Sequence, residues 1–126
     1  MISLFAHATR WRAERALARG RSDVALRLFR RLAARRGARP SDRLRCASML
    51  EEQGDRAGAI HLLQVWLTDA PAPELRQRLA EALMRAGRHA ESAEHWAALV
   101  HDGALAPETL LQLGAAIADQ GGVGRA

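Results

Sequence analysis

Residues 54–93 read GDRAGAIHLLQVWLTDAPAPELRQRLAEALMRAGRHAESA and contain one full period of a pattern that recurs along the chain. Within this period a glycine closes one helix, a second helix follows, and a proline precedes the next helix. The glycine recurs every 33 or 34 residues, at Gly20, Gly54, Gly87 and Gly121. The proline keeps the same spacing, at Pro40, Pro73 and Pro107. Because two independent markers share one period, the sequence predicts a repeated structural unit.

The composition predicts an all-α fold of seven short helices arranged in pairs. Ala and Leu, which favour helices, are abundant, whereas the β-branched residues that favour strands are scarce. The chain of 126 residues is long enough for one domain with a modest core. Helices of this length are marginal alone in water, so each pair needs a neighbouring pair to bury its apolar face.

Helical spacing predicts which side chains face inward and which residues cap the helices. In the first helix the inward residues are expected to be Leu4, Ala8, Trp11 and Ala16. In the fourth helix they are expected to be Ala59, Ile60, Leu63, Trp66 and Leu67. Ser22 or Asp23 is expected to cap the second helix, and Ser41 or Asp42 the third.

With this period, the chain resembles the tetratricopeptide repeat (TPR) family over about residues 6–121. Ala25 and Phe29 have the spacing of the family's second-helix signature. Small residues stand seven positions before each closing glycine, at Ala13, Ala47, Ala80 and Gly114. The tryptophan typical of each first helix is missing, and its positions hold Thr9, Arg43, Arg76 and Leu110.

The resemblance implies a right-handed α-solenoid of about three TPR-like helical hairpins plus a C-terminal half-repeat helix. The expected repeats cover about residues 6–39, 40–72 and 73–106, followed by a terminal helix at 107–120. Together they would form a single TPR-like domain over residues 1–122, and residues 123–126 are expected to be a disordered tail.

In the TPR family the first helices line a concave surface that binds partners. Transferred to this chain, the plan predicts a concave set in which acidic residues outnumber arginines, so that a basic or amphipathic protein segment is the expected partner. The set is Arg10, Glu14, Leu44, Ser48, Glu51, Glu52, Glu74, Gln77, Glu81, Met84, Arg85, Glu108 and Leu111. The alternative is that these residues are ordinary solvated helix faces.

A second set of residues is strongly basic and is expected on the opposite, convex side. This arginine cluster is Arg27, Arg30, Arg31, Arg35, Arg36 and Arg39. It is a possible site for an anionic partner, either acidic protein or phosphate. No aromatic residue is expected to interleave the cluster, because Phe29 belongs to the buried stripe of the same helix. Nucleic acid is therefore the less favoured partner, and a simple solvated face is the other alternative.

The terminal helix keeps apolar residues that one preceding repeat would not cover. Leu110, Leu113 and Ile117 are therefore a possible contact between copies of the chain, with the end formed by Ile2, Leu4 and Phe5 as the facing surface.

No pattern of catalytic, cofactor-binding or metal-binding residues is found, so we expect neither enzymatic activity nor a cofactor. His89, His95 and His101 are six residues apart and do not share a helix face. Cys46 is the single cysteine, which excludes an internal disulfide and indicates a reducing compartment. No signal peptide or membrane span is evident, so a cytoplasmic location is expected.

The resemblance to the TPR family implies a small bacterial protein that acts as an adaptor, assembly factor or chaperone. The expected mechanism is capture of a partner segment on the concave acidic face. The alternatives are a homo-oligomeric scaffold and, less favoured, an arginine-mediated nucleic-acid-associated protein. The charge is asymmetric, with +10 over residues 1–45 and −5 over residues 46–126, which suggests different binding preferences at the two ends.

Overall fold

A computed structural model describes residues 4–109, Leu111 and Gly114, and within them all regular secondary structure is helical. The predicted all-α class is therefore confirmed. Six helices are complete: α1 Leu4–Ala18, α2 Ser22–Ala33, α3 Pro40–Glu52, α4 Arg56–Asp69, α5 Pro73–Arg85 and α6 His89–His101. Residues 107–109, Leu111 and Gly114 are also helical, within the predicted terminal helix. The predicted tail at 123–126 lies outside the described residues.

Three of the periodic glycines, Gly20, Gly54 and Gly87, end helices by adopting a left-handed backbone, and Gly121 lies outside the described residues. Gly54 has φ +85° and Gly87 has φ +79°. After each of them the next residue donates its backbone N–H to a carbonyl five residues back, Asp55 to Leu50 at 2.9 Å and Arg88 to Leu83 at 2.9 Å. This is the hydrogen-bond pattern of a Schellman motif, and it explains why glycine keeps the period.

The helix starts differ from the predicted caps. The N-cap of α2 is Arg21 and that of α3 is Arg39, and neither has a capping side-chain hydrogen bond. Pro40 begins α3 two or three residues earlier than the predicted caps imply, because proline lacks an N–H and has a φ suited to the first turn. A side-chain cap is present at α4, where Asp55 accepts a 2.9 Å hydrogen bond from the Gly58 N–H.

The first helix is rotated relative to the prediction. Its buried residues are Thr9, Ala13 and Ala16, whereas Leu4 is 86% exposed and Trp11 is 59% exposed. The buried residues follow i, i+4, i+7 spacing and are all small, which lets α1 approach its neighbours closely. Of the residues expected in the core, Leu4, Ala8 and Trp11 are therefore on the surface of α1, whereas Ala16 is buried as predicted.

The first compact unit extends to Leu75 and packs α1 to α4 in sequence, α1 on α2, α2 on α3 and α3 on α4. Ala25, Phe29 and Leu32 are buried on α2, as are Cys46, Ala47 and Leu50 on α3. The predicted inward side of α4 is confirmed, because Ala59, Ile60, Leu63 and Trp66 are buried and Leu67 is half-buried.

The second compact unit begins at Arg76 and contains most of α5 and all of α6. Ala80, Trp96 and Leu99 form its buried cluster, with Met84 and Leu105 packed against it. Ser92 is fully buried and donates its hydroxyl to the Ala80 carbonyl at 2.7 Å, so α5 and α6 are joined by a hydrogen bond within the core.

None of the helices between residues 4 and 109 combines the length and the apolar character that crossing a membrane would require.

Candidate interaction surfaces

The exposed apolar residues of the first unit are concentrated on α1. Leu4 and Trp11 are exposed, and Phe5 is 48% exposed. Burying such side chains against a partner is favourable, at about 25 cal/mol per Å² of apolar area. Exposed groups of large apolar side chains commonly mark interaction sites. Leu4 and Phe5 were expected to form a surface that receives a second copy, whereas Trp11 was expected only in the core.

Phe5 is flanked by two members of the predicted arginine cluster. The guanidinium carbons of Arg31 and Arg35 lie 5.5 Å and 5.4 Å from the centre of the Phe5 ring. These distances fit cation–π contacts. The expectation that no aromatic residue interleaves the cluster is therefore wrong, because the aromatic residue comes from the neighbouring helix rather than from α2 itself.

A cleft between α1 and α2 is lined by arginines that the sequence did not single out. We call this the α1–α2 cleft. Its volume is about 230 Å³, and it is bordered by Arg12, Arg15, Arg19 and Arg21. Ala16, Val24 and Leu28 complete its lining and supply apolar surface. Arg15 also stacks on Trp11, with its guanidinium carbon 5.1 Å from the ring centre, so the exposed tryptophan adjoins the cleft.

The arginine cluster itself is exposed throughout. Arg27, Arg30 and Arg31 project from α2, and Arg35, Arg36 and Arg39 follow in the connection to α3. Neither these arginines nor those of the α1–α2 cleft form a salt bridge with a carboxylate in the described part of the chain. The first hairpin, formed by α1, α2 and the connections at their ends, therefore presents positive charge that the chain does not neutralise by direct contact.

The first members of the predicted concave set are paired to residues of α3. Arg10 binds Asp42 through both carboxylate oxygens, with Nε donating to Oδ1 at 2.9 Å and Nη2 to Oδ2 at 2.7 Å. This bond raises the pKa of Arg10 and keeps it charged. Glu14 accepts a 3.3 Å hydrogen bond from Arg45. Both charges are thus used to join α1 to α3 instead of facing a partner unpaired.

Asp42 was missed as an ion-pair partner because the sequence assigned it to a helix cap. Its side chain is almost fully buried, which favours a direct partner over water. Arg10 and Asp42 are 32 residues apart, close to one repeat period. In a helical-repeat fold the first helices of successive repeats are neighbours. Opposite charges one period apart, such as Arg10 and Asp42, could therefore have been predicted from the sequence to form an ion pair.

The other members of the predicted concave set lie on three helices and differ in exposure. On α3, Leu44, Ser48 and Glu51 are half-buried and Glu52 is exposed. On α5, Glu74, Gln77 and Arg85 are exposed, whereas Glu81 and Met84 are half-buried. Glu108 and Leu111 are exposed near the end of the described chain. Leu110, Leu113 and Ile117, the predicted oligomer contact, lie outside the described residues.

Two of these α5 residues already have contacts within the second unit. Met84 accepts a 3.3 Å hydrogen bond at Sδ from the Trp96 indole. Glu81 lies 3.9 Å from Arg78, at the limit of an ion pair. An exposed pair at this distance contributes little to stability, so the Glu81 carboxylate can exchange Arg78 for a partner at low cost.

Reactive side chains are few on the described surface. Burial raises the pKa of the Cys46 thiol to about 11, although the nearby positive charge of Arg30 opposes this, so the thiol is protonated at neutral pH. The half-buried His95 lies with Nδ1 3.2 Å from Arg76 Nη1, and burial, followed by this positive charge, lowers its pKa. Across residues 4–109, Leu111 and Gly114, no three potential ligands cluster as a metal site.

A scan of the chain against the known protein families found no match, and a search among curated proteins found no relative.

Proposed function

We propose that this chain is a non-enzymatic TPR-like module that binds another protein, acting as an adaptor, assembly factor or chaperone. The observation that carries the proposal is the burial of the small residues on which the resemblance rests. Ala13, Ala25, Ala47 and Ala80 are all fully buried. Such residues allow close helix crossing, and that packing is what repeat modules use to present long surfaces for binding.

We assign partner binding to the exposed carboxylates of the predicted concave set. Glu52 on α3 and Glu74 on α5 are exposed, and no salt bridge holds either in the described part of the chain. A partner segment that carries arginine or lysine beside apolar residues matches this surface by charge and by contact with the half-buried Leu44.

The test compares two double variants that change the charge equally. Glu52→Lys with Glu74→Lys reverses exposed charges of the proposed surface within the first unit, whereas Glu94→Lys with Asp102→Lys reverses exposed charges on or beside α6. Fluorescence anisotropy with a labelled basic amphipathic peptide measures affinity, and circular dichroism verifies folding. We expect the first variant to weaken binding about tenfold or more and the second to change it less than about twofold. Equal affinity of both variants and the parent protein would reject the assigned surface.

A homo-oligomeric scaffold is the second candidate function. Leu4 and Phe5, the proposed receiving end for a second copy, are exposed on α1, and Leu111 is exposed near the predicted contact helix. A head-to-tail contact of this kind would be heterologous and would extend to larger assemblies. Light scattering over a concentration series should then show a rising mass that Leu4→Ser with Phe5→Ser abolishes, and a constant monomer mass would eliminate this candidate.

A further inference from the structure

The exposed side of the first hairpin forms one continuous strip. Along α1 and just past its end, Phe5, Arg12 and Arg19 are spaced seven residues apart. Along α2 and just past its end, Val24, Leu28, Arg31 and Arg35 follow i, i+4, i+7, i+11 spacing. Residues at these spacings share a helix face. Phe5 contacts Arg31 and Arg35 at one end, and Arg12, Arg19, Val24 and Leu28 line the α1–α2 cleft further along.

We infer that the α1–α2 cleft is a docking site for an acidic amphipathic helix of another protein. This goes beyond the proposed function, since it uses a different surface and a partner of opposite charge. The lining has an apolar part, Ala16, Val24 and Leu28, with the guanidiniums of Arg12, Arg15, Arg19 and Arg21 around it. A helix that presents a leucine stripe flanked by glutamates satisfies both parts at once.

Charge complementarity indicates that the partner is negatively charged. No acidic residue lines the cleft, and its four arginines make no salt bridge within the described chain. Glu14, the acidic residue of α1, is instead hydrogen-bonded to Arg45 of α3. Planar guanidiniums also bind carboxylates through two parallel hydrogen bonds, which gives orientation as well as attraction.

The shape of the surface favours a protein helix over a lipid or nucleic-acid partner. A recessed apolar cleft receives protruding side chains, whereas a membrane surface offers none. The Phe5 ring is already contacted by two guanidiniums, and Trp11 by one, so these rings are not free platforms for stacked bases. The strip from Phe5 to Arg19 is about 21 Å long at 1.5 Å per residue, which matches a partner helix of about 14 residues.

The probe is a fluorescein-labelled acidic peptide of about 14 residues with leucines at i, i+4 and i+7 and glutamates beside them. One control peptide replaces the leucines by glutamine, and another replaces the glutamates by lysine. Anisotropy at physiological ionic strength reports binding. We expect the acidic leucine peptide to bind and each control peptide to bind at least about tenfold more weakly, because the cleft needs both charge and apolar contact.

Two protein variants locate the site. Arg12→Glu with Arg19→Glu alters the cleft, while Arg27→Glu with Arg39→Glu makes the same charge change at exposed positions outside its lining. The cleft variant should lose at least about tenfold in affinity and the outside variant less than about twofold. Trp11 emission should also shift on binding, since this tryptophan is exposed beside the cleft and Trp66 and Trp96 are buried.

Three results would overturn the inference. One is absence of binding to the acidic leucine peptide by the folded protein, and another is an equal loss in the two double variants. The third is tighter, cleft-dependent binding of phosphatidylserine vesicles or single-stranded DNA than of the peptide. None of these results bears on the basic-peptide experiment with Glu52 and Glu74, so failure of this inference is distinguishable from failure of the proposed function.

Discussion

Arg43 of α3 binds Asp69 at the end of α4, with Nη2 donating to Oδ2 at 2.8 Å. Its side chain is 2% exposed and also donates to the backbone carbonyls of Ala33 and Arg35, at 3.0 Å and 2.9 Å. The guanidinium carbon lies 5.7 Å from the centre of the Trp66 ring. A single arginine thus joins the end of α2, α3 and the end of α4.

Replacement of Arg43 by alanine should destabilise the first unit by about 3 kcal/mol, because it leaves two carbonyls and one carboxylate without their donor and removes packing on Trp66. Arg43→Lys should recover only part of this loss, since an ammonium cannot bond all three acceptors as a guanidinium fork does. Urea unfolding followed by circular dichroism measures both variants.

A matched control for Arg43 is Arg27→Ala, which removes an exposed arginine with no salt bridge in the described chain. That variant should stay within about 0.5 kcal/mol of the parent protein. If Arg43→Ala were equally mild, the hydrogen-bonded arrangement at the end of α2 would not contribute to stability.

The Asp69 interaction should make stability depend on pH in acid. The hydrogen bond from Arg43, followed by that from the Gly37 N–H, lowers the pKa of Asp69 below its usual value near 4. Because this pKa is lowered in the folded state, the ionised Asp69 carboxylate stabilises the folded protein fully at pH values above its unfolded-state pKa. This stabilisation is lost as the pH falls through the folded-state pKa of Asp69. The difference in unfolding free energy between the parent and Asp69→Asn should therefore shrink from pH 7 to about pH 3.

Subtracting the unfolding free energy of Asp69→Asn from that of the parent protein removes the pH dependence contributed by the other carboxylates. These include Glu91, whose pKa is lowered by Arg88. A difference that stayed constant across this pH range would mean that the Asp69 carboxylate gains nothing from its contacts in the folded protein.

The sequence predicted the helix order and most of the core, because periodic glycines and apolar spacing are local signals. The sequence-based predictions were wrong where a side chain contacts residues of a neighbouring helix. The predicted Ala16 is buried, but Thr9 and Ala13 are buried with it in place of Leu4 and Trp11, since close packing of α1 favours small side chains over large ones. The pairing of Phe5 with α2 arginines depends on how α1 and α2 meet, which composition and periodicity of either helix alone do not determine.

Leu63 tests the predicted register of the repeat. Its side chain is fully buried on α4, whereas Val65 on the same helix is 48% exposed. Leu63→Ala should cost about 2–5 kcal/mol, since it removes buried methyl groups and leaves a cavity. Val65→Ala should cost less than about 0.5 kcal/mol in the same thermal or urea unfolding experiment, and similar losses at both positions would contradict the assigned faces.

The glycine that ends α3 should tolerate few replacements. Gly54 has φ +85°, and no atom lies within 4 Å of the position that a Cβ would occupy, so backbone strain rather than crowding decides the outcome. Gly54→Ala should destabilise by about 1–2 kcal/mol, and Gly54→Asn by less, because asparagine tolerates the left-handed region better. Gln53→Ala, at the exposed preceding position, is the control in the unfolding measurements. An unchanged unfolding free energy for Gly54→Ala would mean that the backbone at this position changes its conformation freely.

Cys46 should report opening of the first unit. Burial raises its pKa to about 11, so the thiolate that reacts with alkylating agents is scarce at pH 8. Mass spectrometry of iodoacetamide labelling should show a native rate at least about a hundredfold below that of the urea-unfolded chain, because burial makes the thiolate scarce and also blocks the reagent's access. Leu63→Ala should label faster than the parent, because destabilisation increases the open population. Native labelling within tenfold of the unfolded rate would show that Cys46 is accessible without opening.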